Sequence, residues 1–431
     1  MMKRTLSILL ILVLAFTLVA CNSNKPAEET KETTEATTEE TTTEATEMMP
    51  EDGATLIVWE SEGPEGEFMQ YVAEKFEEKY GVAVSYEPVT HTDSRNRLST
   101  DGPAGTGGDV FAAPHDHVGA LVASGLVYPN SIGKERVLNE YMTASSSAVT
   151  FENEVYGYPT AIETYGLYYN ADLYNEAPKT YAEIVEFAKG YNDPSNNKFA
   201  LFWNVNNAYF SHSFVAGAGG YVFGNNGSDR DDIGLATPEA IKGLEEMVAL
   251  KEILPLQDGD ASYDAMTGLF HEGKVAAMIN GPWAVSGAEE SGINYAIAPL
   301  PTLADGSHPT SFSGTRSLFV SSYSNYPQAA QLFAQFATSD EMLLKRFEMT
   351  KQIPPVKALL DAEAIAGDAK VAPFLAQAQY AVPMPSIPEM GYVWEPYAAA
   401  FGSAWNGDVT PEEALTTAVE TIKSAIATQE Q

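Results

Sequence analysis

Several aromatic residues stand at predicted turns, where their rings could hold a flat ligand. Trp283 follows a β-rich run at 276–280 across a Gly-Pro turn, and Trp394 stands at a loop-to-helix junction. Tyr209 and Phe210 form another aromatic pair. Aromatic faces suit the apolar C–H faces of sugar rings, while carboxylates and amides suit hydroxyl groups. Core packing explains any one tryptophan equally well, so the prediction depends on the set of rings.

Common catalytic motifs are absent from the sequence. It contains no His-Glu-x-x-His, no Gly-x-Ser-x-Gly, no phosphate loop, and no Gly-x-Gly-x-x-Gly after a predicted strand. Six histidines and one cysteine offer little material for a zinc site, so we expect neither a metal nor a cofactor. Two carboxylates could perform glycoside hydrolysis. With 59 acidic residues, however, sequence proximity identifies no such pair. A binding protein is favoured over an enzyme.

The chain is strongly acidic. Its 431 residues include 24 Lys and Arg against 59 Asp and Glu, which gives a formal charge of −35. This excludes nucleic acid as a default partner, because phosphate backbones are bound through dense Lys and Arg. Anionic lipid headgroups are disfavoured for the same reason. Apolar residues make up 45% of the chain, so a folded body is expected. A neutral, hydroxyl-rich ligand would tolerate this acidity.

The N-terminus has the pattern of a secretory signal peptide at residues 1–20. Lys3 and Arg4 precede an apolar run that ends at Ala20 and is too short for a membrane span. The run closes in Leu-Val-Ala-Cys, which is similar to a bacterial lipobox. We therefore expect cleavage before Cys21 and attachment of lipid to its thiol, with a free thiol as the alternative. Acyl chains contribute about 0.8 kcal/mol per buried CH₂ and could anchor the protein.

A Thr- and Glu-rich segment follows this cysteine. Residues 22–52 have almost no large apolar side chains, so they cannot bury enough surface to offset chain entropy. We expect residues 21–53 to form a lipidated, disordered tether and the folded body to begin at residue 54.

Strands and helices alternate along the body that must position the aromatic residues. β-rich runs at 55–59, 82–86 and 109–113 are separated by an apolar-periodic helix at 67–79 and by a polar helix. The alternation predicts an α/β architecture with a largely parallel sheet. In such sheets, ligands bind beyond the carboxyl ends of the strands. Two capping boxes predict helix starts, one at Thr180 with Glu183 and one at Thr410 with Glu413.

Short motifs follow one another in a fixed order across nearly the whole body, from Leu56-Ile-Val-Trp59 to the last helix. The most specific are His115-Asp116 before Gly119, Tyr158-Pro159 through Glu163 to Tyr168-Tyr-Asn170, Pro178-Lys-Thr180, Gly219-Gly220-Tyr221, Ile279-Asn-Gly-Pro-Trp283, and Met384-Pro-Ser-Ile-Pro-Glu-Met390 leading to Trp394. Each motif is weak alone. Together, in this order, they resemble the solute-binding proteins of bacterial carbohydrate ABC importers, and specifically the maltose/maltodextrin-binding proteins.

The resemblance implies an α/β, two-lobed periplasmic-binding-protein-like fold with crossing hinge segments and a cleft between the lobes. Lobe 1 would comprise residues 54–162 and 311–365. Lobe 2 would comprise residues 163–310 and 366–431. The ligand would lie in the cleft, and hinge bending would close the lobes over it.

The resemblance also implies which residues bind the ligand. Asp116 and Glu163 would accept hydrogen bonds from sugar hydroxyls, and Tyr209, Trp283 and Trp394 would provide aromatic platforms. Tyr263 and Met384 match flanking contacts, and weaker assignments fall on Arg95, His117 and Asn207.

Four positions depart from the family pattern. Ala113 replaces a tryptophan that is frequent in lobe 1, His117 a basic residue, Asn207 an acidic one, and Ala398 an arginine. Stacking on the lobe 1 side is therefore expected to be weaker. Asp93, Arg95 and the loop 61–66 are candidates for replacement polar contacts.

The function implied is capture of a maltodextrin-type oligosaccharide by a lipid-anchored monomer at the extracellular face of the cell membrane. The closed form would deliver the sugar, chemically unchanged, to an ABC permease. Two alternatives stay open. One is a binding protein for another neutral sugar, such as a galacto- or xylo-oligosaccharide, and the other is a surface-anchored glycoside hydrolase.

Overall fold

The computed structural model describes residues 48–429. The predicted signal peptide, Cys21 and most of the predicted tether lie outside the described residues. Within the described part, Met48 packs against a hydrophobic cluster of the body. The Glu51 carboxylate accepts hydrogen bonds from the backbone N–H groups of Gln328 and Ala329, at 2.7 and 2.8 Å. The composition of residues 22–52 placed Glu51 in the predicted tether. In the structure its carboxylate instead stabilises the start of the helix Pro327–Ala337.

Twelve strands and seventeen helices make up the described body, besides short 3-10 turns. The strands are β1 Thr55–Glu60, β2 Ala83–Pro88, β3 Val110–Pro114, β4 Thr150–Phe151, β5 Glu154–Val155, β6 Tyr158–Glu163, β7 Gly166–Asn170, β8 Asp229–Ile233, β9 Ala277–Asn280, β10 Tyr295–Ala298, β11 Phe312–Val320 and β12 Val382–Pro383. The helices are α1 Pro64–Tyr80, α2 Ser94–Asp101, α3 Val118–Ala123, α4 Lys134–Glu140, α5 Thr143–Ala148, α6 Tyr181–Tyr191, α7 Ala208–Gly217, α8 Gly224–Gly227, α9 Pro238–Ala249, α10 Tyr263–His271, α11 Val285–Ser291, α12 Pro327–Ala337, α13 Asp340–Thr350, α14 Glu363–Ala366, α15 Val371–Ala378, α16 Trp394–Asn406 and α17 Pro411–Gln429.

The larger sheet has six strands. Their order is β12-β11-β3-β1-β2, and β6 also pairs with β11. β1 runs parallel to β2 and to β3, whereas β11 runs antiparallel to β3 and to β6. Strand β6 carries the chain out of this sheet and β11 brings it back, so the two run in opposite directions. The prediction of a largely parallel sheet holds for β1, β2 and β3, but the whole sheet is mixed.

The smaller sheet has the order β10-β7-β9, and both of its pairings are antiparallel. For this sheet the prediction of parallel strands is wrong. The chain enters it along β7 and later returns along β9 and β10, which flank β7 on either side. Parallel bridges from Phe199 to Val275 and from Phe202 to Met278 extend it past β9.

Three hydrophobic clusters hold the two sheets. In the larger sheet, neighbouring residues point to opposite faces, so Val58 and Trp59 are both fully buried but belong to different clusters. Helices α1 and α12 cover one face through Phe68, Phe76 and Phe333. The third cluster joins the smaller sheet to α6, α7, α9, α16 and α17, and it also includes Phe312 of β11 and Phe347 of α13. This cluster is therefore continuous from the smaller sheet to the larger one.

The predicted helix boundaries follow local signals. Glu183 N donates to Thr180 Oγ1 at 3.1 Å, and Glu413 N donates to Thr410 Oγ1 at 3.2 Å, so both capping predictions are confirmed. The helix predicted at 67–79 begins three residues earlier, at Pro64, because proline is favoured in the first turn. It ends before Gly81, whose φ of 70° closes the helix in the left-handed conformation.

Candidate functional site

A cavity of about 860 Å³ opens beyond the carboxyl ends of β1, β2 and β3. All of the residues that the sequence assigned to ligand binding line it: Arg95, Asp116, His117, Glu163, Asn207, Tyr209, Tyr263, Trp283, Met384 and Trp394. The fold brings them together from widely separated parts of the chain.

One wall of the cavity is polar. It is built by the loops that follow the parallel strands, with Ser61, Glu62 and Glu65 after β1, residues 90–92 after β2, and Asp116 after β3. Within residues 48–429, these loops contribute no Phe, Tyr or Trp ring to the cavity lining, and their aromatic groups there are imidazoles such as that of His91. Ala113 is fully buried in β3, in a core cluster. This wall therefore offers mainly hydrogen-bonding groups.

The opposite wall is aromatic. Tyr209 stands at the start of α7, and its ring centroid lies 6.3 Å from that of Trp283 and 6.1 Å from that of Phe312. Phe312 continues the contact to Trp394, with centroids 5.7 Å apart. Tyr263, at the start of α10, also lines this side. Tyr209, Tyr263, Trp283 and Trp394 line the cavity, whereas Phe312 is buried between Tyr209 and Trp394.

The turn after β9 fixes the position of the Trp283 indole. A Cβ on Gly281 would lie only 2.1 Å from the indole ring, so this position requires glycine. The Tyr168 hydroxyl donates to the Gly281 carbonyl at 2.6 Å and holds the turn in place. Trp283 is therefore presented by a rigid strand end.

A buried ion cluster lies beneath the polar wall. Glu60 and Arg346 have no exposed side-chain surface, and Arg316 is 3% exposed. Arg316 pairs with Glu60, and its Nη1 lies 3.6 Å from Oε1 of Glu163. Arg346 Nη1 lies 3.6 Å from Oε2 of Glu60. Arg316 Nη2 also donates to Ser61 Oγ at 2.9 Å, which connects the cluster to the cavity lining.

Burial and charge act in opposite directions on the two carboxyl groups of this cluster. Burial raises the pKa of Glu60, but Arg316 and Arg346 outweigh it and hold that pKa below its usual value. Burial also raises the pKa of Glu163, and there it prevails over the same arginines, so the pKa stays above its usual value. Of these two groups, Glu163 is therefore protonated first as the pH falls.

Residues 384–394 run along the rim of the cavity and contact the larger sheet. Met384 N donates to Ser313 O in β11 at 3.2 Å. The Nδ1 atom of His115 accepts from Thr315 N at 3.1 Å, so its Nε2 carries the proton and donates to Met384 O at 3.0 Å. Burial lowers the pKa of His115, which agrees with a neutral ring. Gly119 N donates to Ser386 O at 3.0 Å.

The two walls are joined by one hydrogen bond between site residues. The Trp394 indole N–H donates to Oδ2 of Asp116 at 3.0 Å. The other oxygen, Oδ1, is buried and has no hydrogen-bond partner in the structure. Asp116 can therefore orient the Trp394 ring and still accept a hydrogen bond from a ligand.

Sequence reasoning missed several lining residues, among them Thr90, His91 and Arg316. A signal for Arg316 was present, because a charged residue within the apolar strand β11 requires a buried partner. The loop after β2 carried no such signal. Of the candidates for replacement contacts, Arg95 lines the cavity, whereas Asp93 is exposed and is not among the lining residues.

Within residues 48–429, no helix is both long and apolar enough to cross a membrane. No group of three or more His, Cys, Asp or Glu in the same range could hold a metal ion.

Comparison with known proteins identifies relatives that cover nearly the full chain. The galactooligosaccharide-binding protein of Bacillus subtilis (strain 168) is 35% identical over 382 residues, which cover 87% of this chain and 90% of the relative. The maltodextrin-binding protein MdxE of the same organism is 30% identical over 436 residues, covering 99% and 98%. These relatives confirm the resemblance predicted from the ordered motifs.

A solved structure and a family model agree with these relatives. The crystal structure of a cyclo/maltodextrin-binding protein complexed with maltotetraose matches with a TM-score of 0.74 and 38% identity, over 88% of this chain and 98% of the other. This similarity confirms the two-lobed fold. The model of the bacterial extracellular solute-binding proteins matches residues 71–373. The chain therefore belongs to the family of bacterial extracellular solute-binding proteins.

Proposed function

We propose that this protein captures a maltodextrin-type oligosaccharide outside the cell and delivers it, chemically unchanged, to an ABC permease. The observation that carries the proposal is the pairing of an aromatic wall with a wall of carboxylate, hydroxyl and imidazole groups across one cavity. A sugar ring has apolar C–H faces and a polar edge, so it fits between two such walls.

The proposed roles follow the geometry of the cavity. Trp283, Tyr209 and Trp394 stack on sugar faces, with Tyr263 and Met384 beside them. Asp116 Oδ1 is buried without a hydrogen-bond partner, which supports its assignment as an acceptor for a ligand hydroxyl. The hydroxyl of Tyr209 is likewise buried and without a partner. Glu163 accepts a further hydroxyl, while Arg95, His117 and Asn207 contact the ligand at the edges.

Binding strength arises from many weak contacts. A neutral hydrogen bond contributes about 0.5–1.5 kcal/mol net, whereas micromolar affinity requires roughly 8 kcal/mol. Several hydrogen bonds and more than one stacked ring are therefore needed. This requirement favours closure of both walls around the ligand.

The lobes proposed to move are residues 54–162 with 311–365, and residues 163–310 with 366–431. Support comes from the chain path. β6 ends at Glu163 in the larger sheet, β7 begins at Gly166 in the smaller one, and β11 re-enters the larger sheet at Phe312. With this division the chain crosses between the lobes three times, after residues 162, 310 and 365. Glu163, at the first crossing, lines the cavity, where a hinge would open and close it.

We also propose that lipid on Cys21 anchors the protein at the extracellular face of the membrane and that the mature protein is a monomer. The support is the lipobox-like sequence ending at the only cysteine of the chain, together with membership in an extracellular family.

Replacing Cys21 by serine should release the protein from the membrane. Because serine cannot form the thioether to lipid, the full-length variant should appear in the soluble fraction or the medium. Fractionation and immunoblotting measure this. A variant that stays with the membrane as fully as the wild type would refute the anchor.

A second ligand has specific support. The relative that is 35% identical is named a galactooligosaccharide-binding protein, so a galacto-oligosaccharide is the alternative ligand. A xylo-oligosaccharide and a hydrolase lack such support.

A thermal-shift panel distinguishes these ligands. A ligand that binds only the folded protein stabilises it by about 2.7 kcal/mol at a hundredfold excess over Kd. We expect maltotriose and maltotetraose to raise the unfolding midpoint more than galacto- or xylo-oligosaccharides. A shift with galacto-oligosaccharides alone would select the alternative. Shortened maltodextrins after incubation with the protein would instead indicate a hydrolase.

Gly119→Ala should weaken sugar binding by disturbing the cavity rim. A Cβ at this position would lie 2.4 Å from Ser386 O and 2.7 Å from Pro388 N, so residues 384–394 must move away from α3. We expect unfolding to require about 1–3 kcal/mol less and affinity in calorimetry to fall roughly tenfold, because Trp394 shifts relative to Asp116.

Gly190→Ala is the matched control for this prediction. Gly190 lies in α6, where an added Cβ meets no atom within 4 Å. Alanine there should leave binding unchanged and stabilise the helix by up to about 1 kcal/mol. Equal binding by both alanine variants would contradict a role of the rim in ligand binding.

A further inference from the structure

The Gln352 side chain touches both the buried ion cluster and the cavity lining. It is 1% exposed and follows the end of α13, where Ile353 forms a bridge to Ile162 in β6. Gln352 Oε1 accepts from Arg346, at 3.1 Å from Nε and 2.6 Å from Nη2. Its Nε2 lies 2.9 Å from Glu65 Oε1 and 3.2 Å from Glu163 Oε1.

These partners permit only one orientation of the amide. An arginine side chain is exclusively a donor, so the amide oxygen must face Arg346. Both N–H bonds of Nε2 then point to carboxylates that line the cavity. Arg346 is itself held by Glu60 and lies over the Phe68 ring, 5.3 Å from its centroid. The amide oxygen of Gln352 is thus held by Arg346, which does not line the cavity.

We propose that Gln352 is a positioning residue of the sugar site, which holds Glu65 and Glu163 side by side as ready acceptors for ligand hydroxyls. This inference rests on the proposed function. Two carboxylates that share one small volume repel each other, and a neutral double donor between them reduces that repulsion without adding charge. A ligand then meets acceptors whose direction is already set, so it does not have to order them on binding.

The groups around Glu163 determine how its pKa responds when the Gln352 amide is removed. Burial disfavours the anion of Glu163, and so do Glu65 and Glu60, whereas Arg316 and Arg346 favour it. Tyr209 lies on the other side of the cavity lining and interacts electrostatically with Glu163. Without the Gln352 donor, the anion of Glu163 loses a hydrogen bond, and its pKa must rise further.

The test measures the titration of Glu163 in the ligand-free protein. Glutamate carboxyl carbons are labelled with ¹³C, and Glu163→Gln identifies the signal of Glu163. In Gln352→Met, which keeps the size of the side chain but donates no hydrogen bond, we expect the pKa of Glu163 to rise by about one unit. Gln352→Leu is also neutral and donates no hydrogen bond, so it should raise this pKa as well and serves if the methionine variant folds poorly.

Gln331→Met is the matched control. Gln331 is also buried, and it bonds Tyr158, Ser131 N and Pro129 O away from the cavity. The Gln331→Met variant should lower the free energy of unfolding and leave the pKa of Glu163 unchanged. An unchanged pKa of Glu163 in both Gln352 variants would overturn the proposal, whether or not the protein binds sugar.

Calorimetry with maltotetraose supplies the second readout. We expect Gln352→Met to bind roughly tenfold more weakly at pH 7 and to lose binding at a higher pH than the wild type on acidification. If the wild type binds no sugar, the proposed function fails, while the NMR titration still decides the role of Gln352. If binding by Gln352→Met equals that of the wild type across the pH range, the positioning role is refuted.

Discussion

Trp283→Ala is expected to weaken maltodextrin binding about 30-fold or more, because truncation of a central tryptophan in a binding site typically costs about 2 kcal/mol or more. The indole contributes the aromatic surface next to Tyr209 and Phe210, at centroid distances of 6.3 and 6.4 Å. Strand β9 is held by backbone pairing with β7, so the fold should persist. Calorimetric titration with maltotetraose measures the loss.

Tyr380→Ala is the control for this truncation. Tyr380 is 38% exposed and stacks on His308 outside the cavity lining. The Tyr380→Ala variant should bind maltotetraose with wild-type affinity. Trp283→Phe keeps a ring at the site, so its affinity should lie between those of the wild type and Trp283→Ala. Wild-type affinity in Trp283→Ala would remove this residue from the site.

Arg316→Met is expected to lower the free energy of unfolding by about 3–5 kcal/mol at pH 7, the usual cost of removing one partner of a buried ion pair. Glu60 has no exposed side-chain surface, and the more distant Arg346, with Nη1 3.6 Å away, would be its remaining cationic partner in the cluster. Urea denaturation of the two proteins measures the difference. Lys189→Met, which removes an exposed cation paired with Glu186, should lower the free energy of unfolding far less, because solvent screens an exposed ion pair.

The pH dependence of this difference has a definite sign. In the folded wild type the pKa of Glu60 lies below its usual value. The contribution of this carboxylate to the free energy of unfolding is therefore present above its unfolded-state pKa and is lost as the pH falls through its folded-state pKa. In Arg316→Met, burial is opposed by one arginine fewer, so the folded-state pKa rises. A carboxyl with a raised pKa stabilises the fold when it is protonated. The difference in the free energy of unfolding between the wild type and Arg316→Met should therefore become smaller in acid. A difference that became larger would contradict the pairing of Glu60 with Arg316.

Local features of the site could be predicted from the sequence. The Gly-Pro turn before Trp283 and the strands that end at Glu60, Pro88 and Pro114 depend on residues near one another in the chain. The rule that ligands bind beyond the carboxyl ends of parallel strands points to the edge of the larger sheet at which the cavity lies. The ordered motifs supplied the two-lobed fold and the residues of the aromatic wall.

Long-range partners could not be predicted. Arg316 and Glu60 are 256 residues apart, and no local pattern pairs them. The same holds for Gln352, whose partners Glu65 and Glu163 are 287 and 189 residues away. The mixed direction of the larger sheet likewise depends on β11 returning from the other half of the body. Propensity and periodicity describe neighbours in sequence and carry no information about such contacts.

The separation of the two cavity walls has an evolutionary consequence. The loops after β1, β2 and β3 are anchored in one sheet, while the aromatic rings are carried by α7, α10, α16 and the turn after β9. Except at Asp116, which holds Trp394, we expect a substitution in those loops to change which hydroxyl groups are recognised and to leave the packing behind the rings intact. Under the proposed function, selectivity among neutral sugars would then diverge by single replacements after gene duplication, through intermediates that keep both the fold and the aromatic surface.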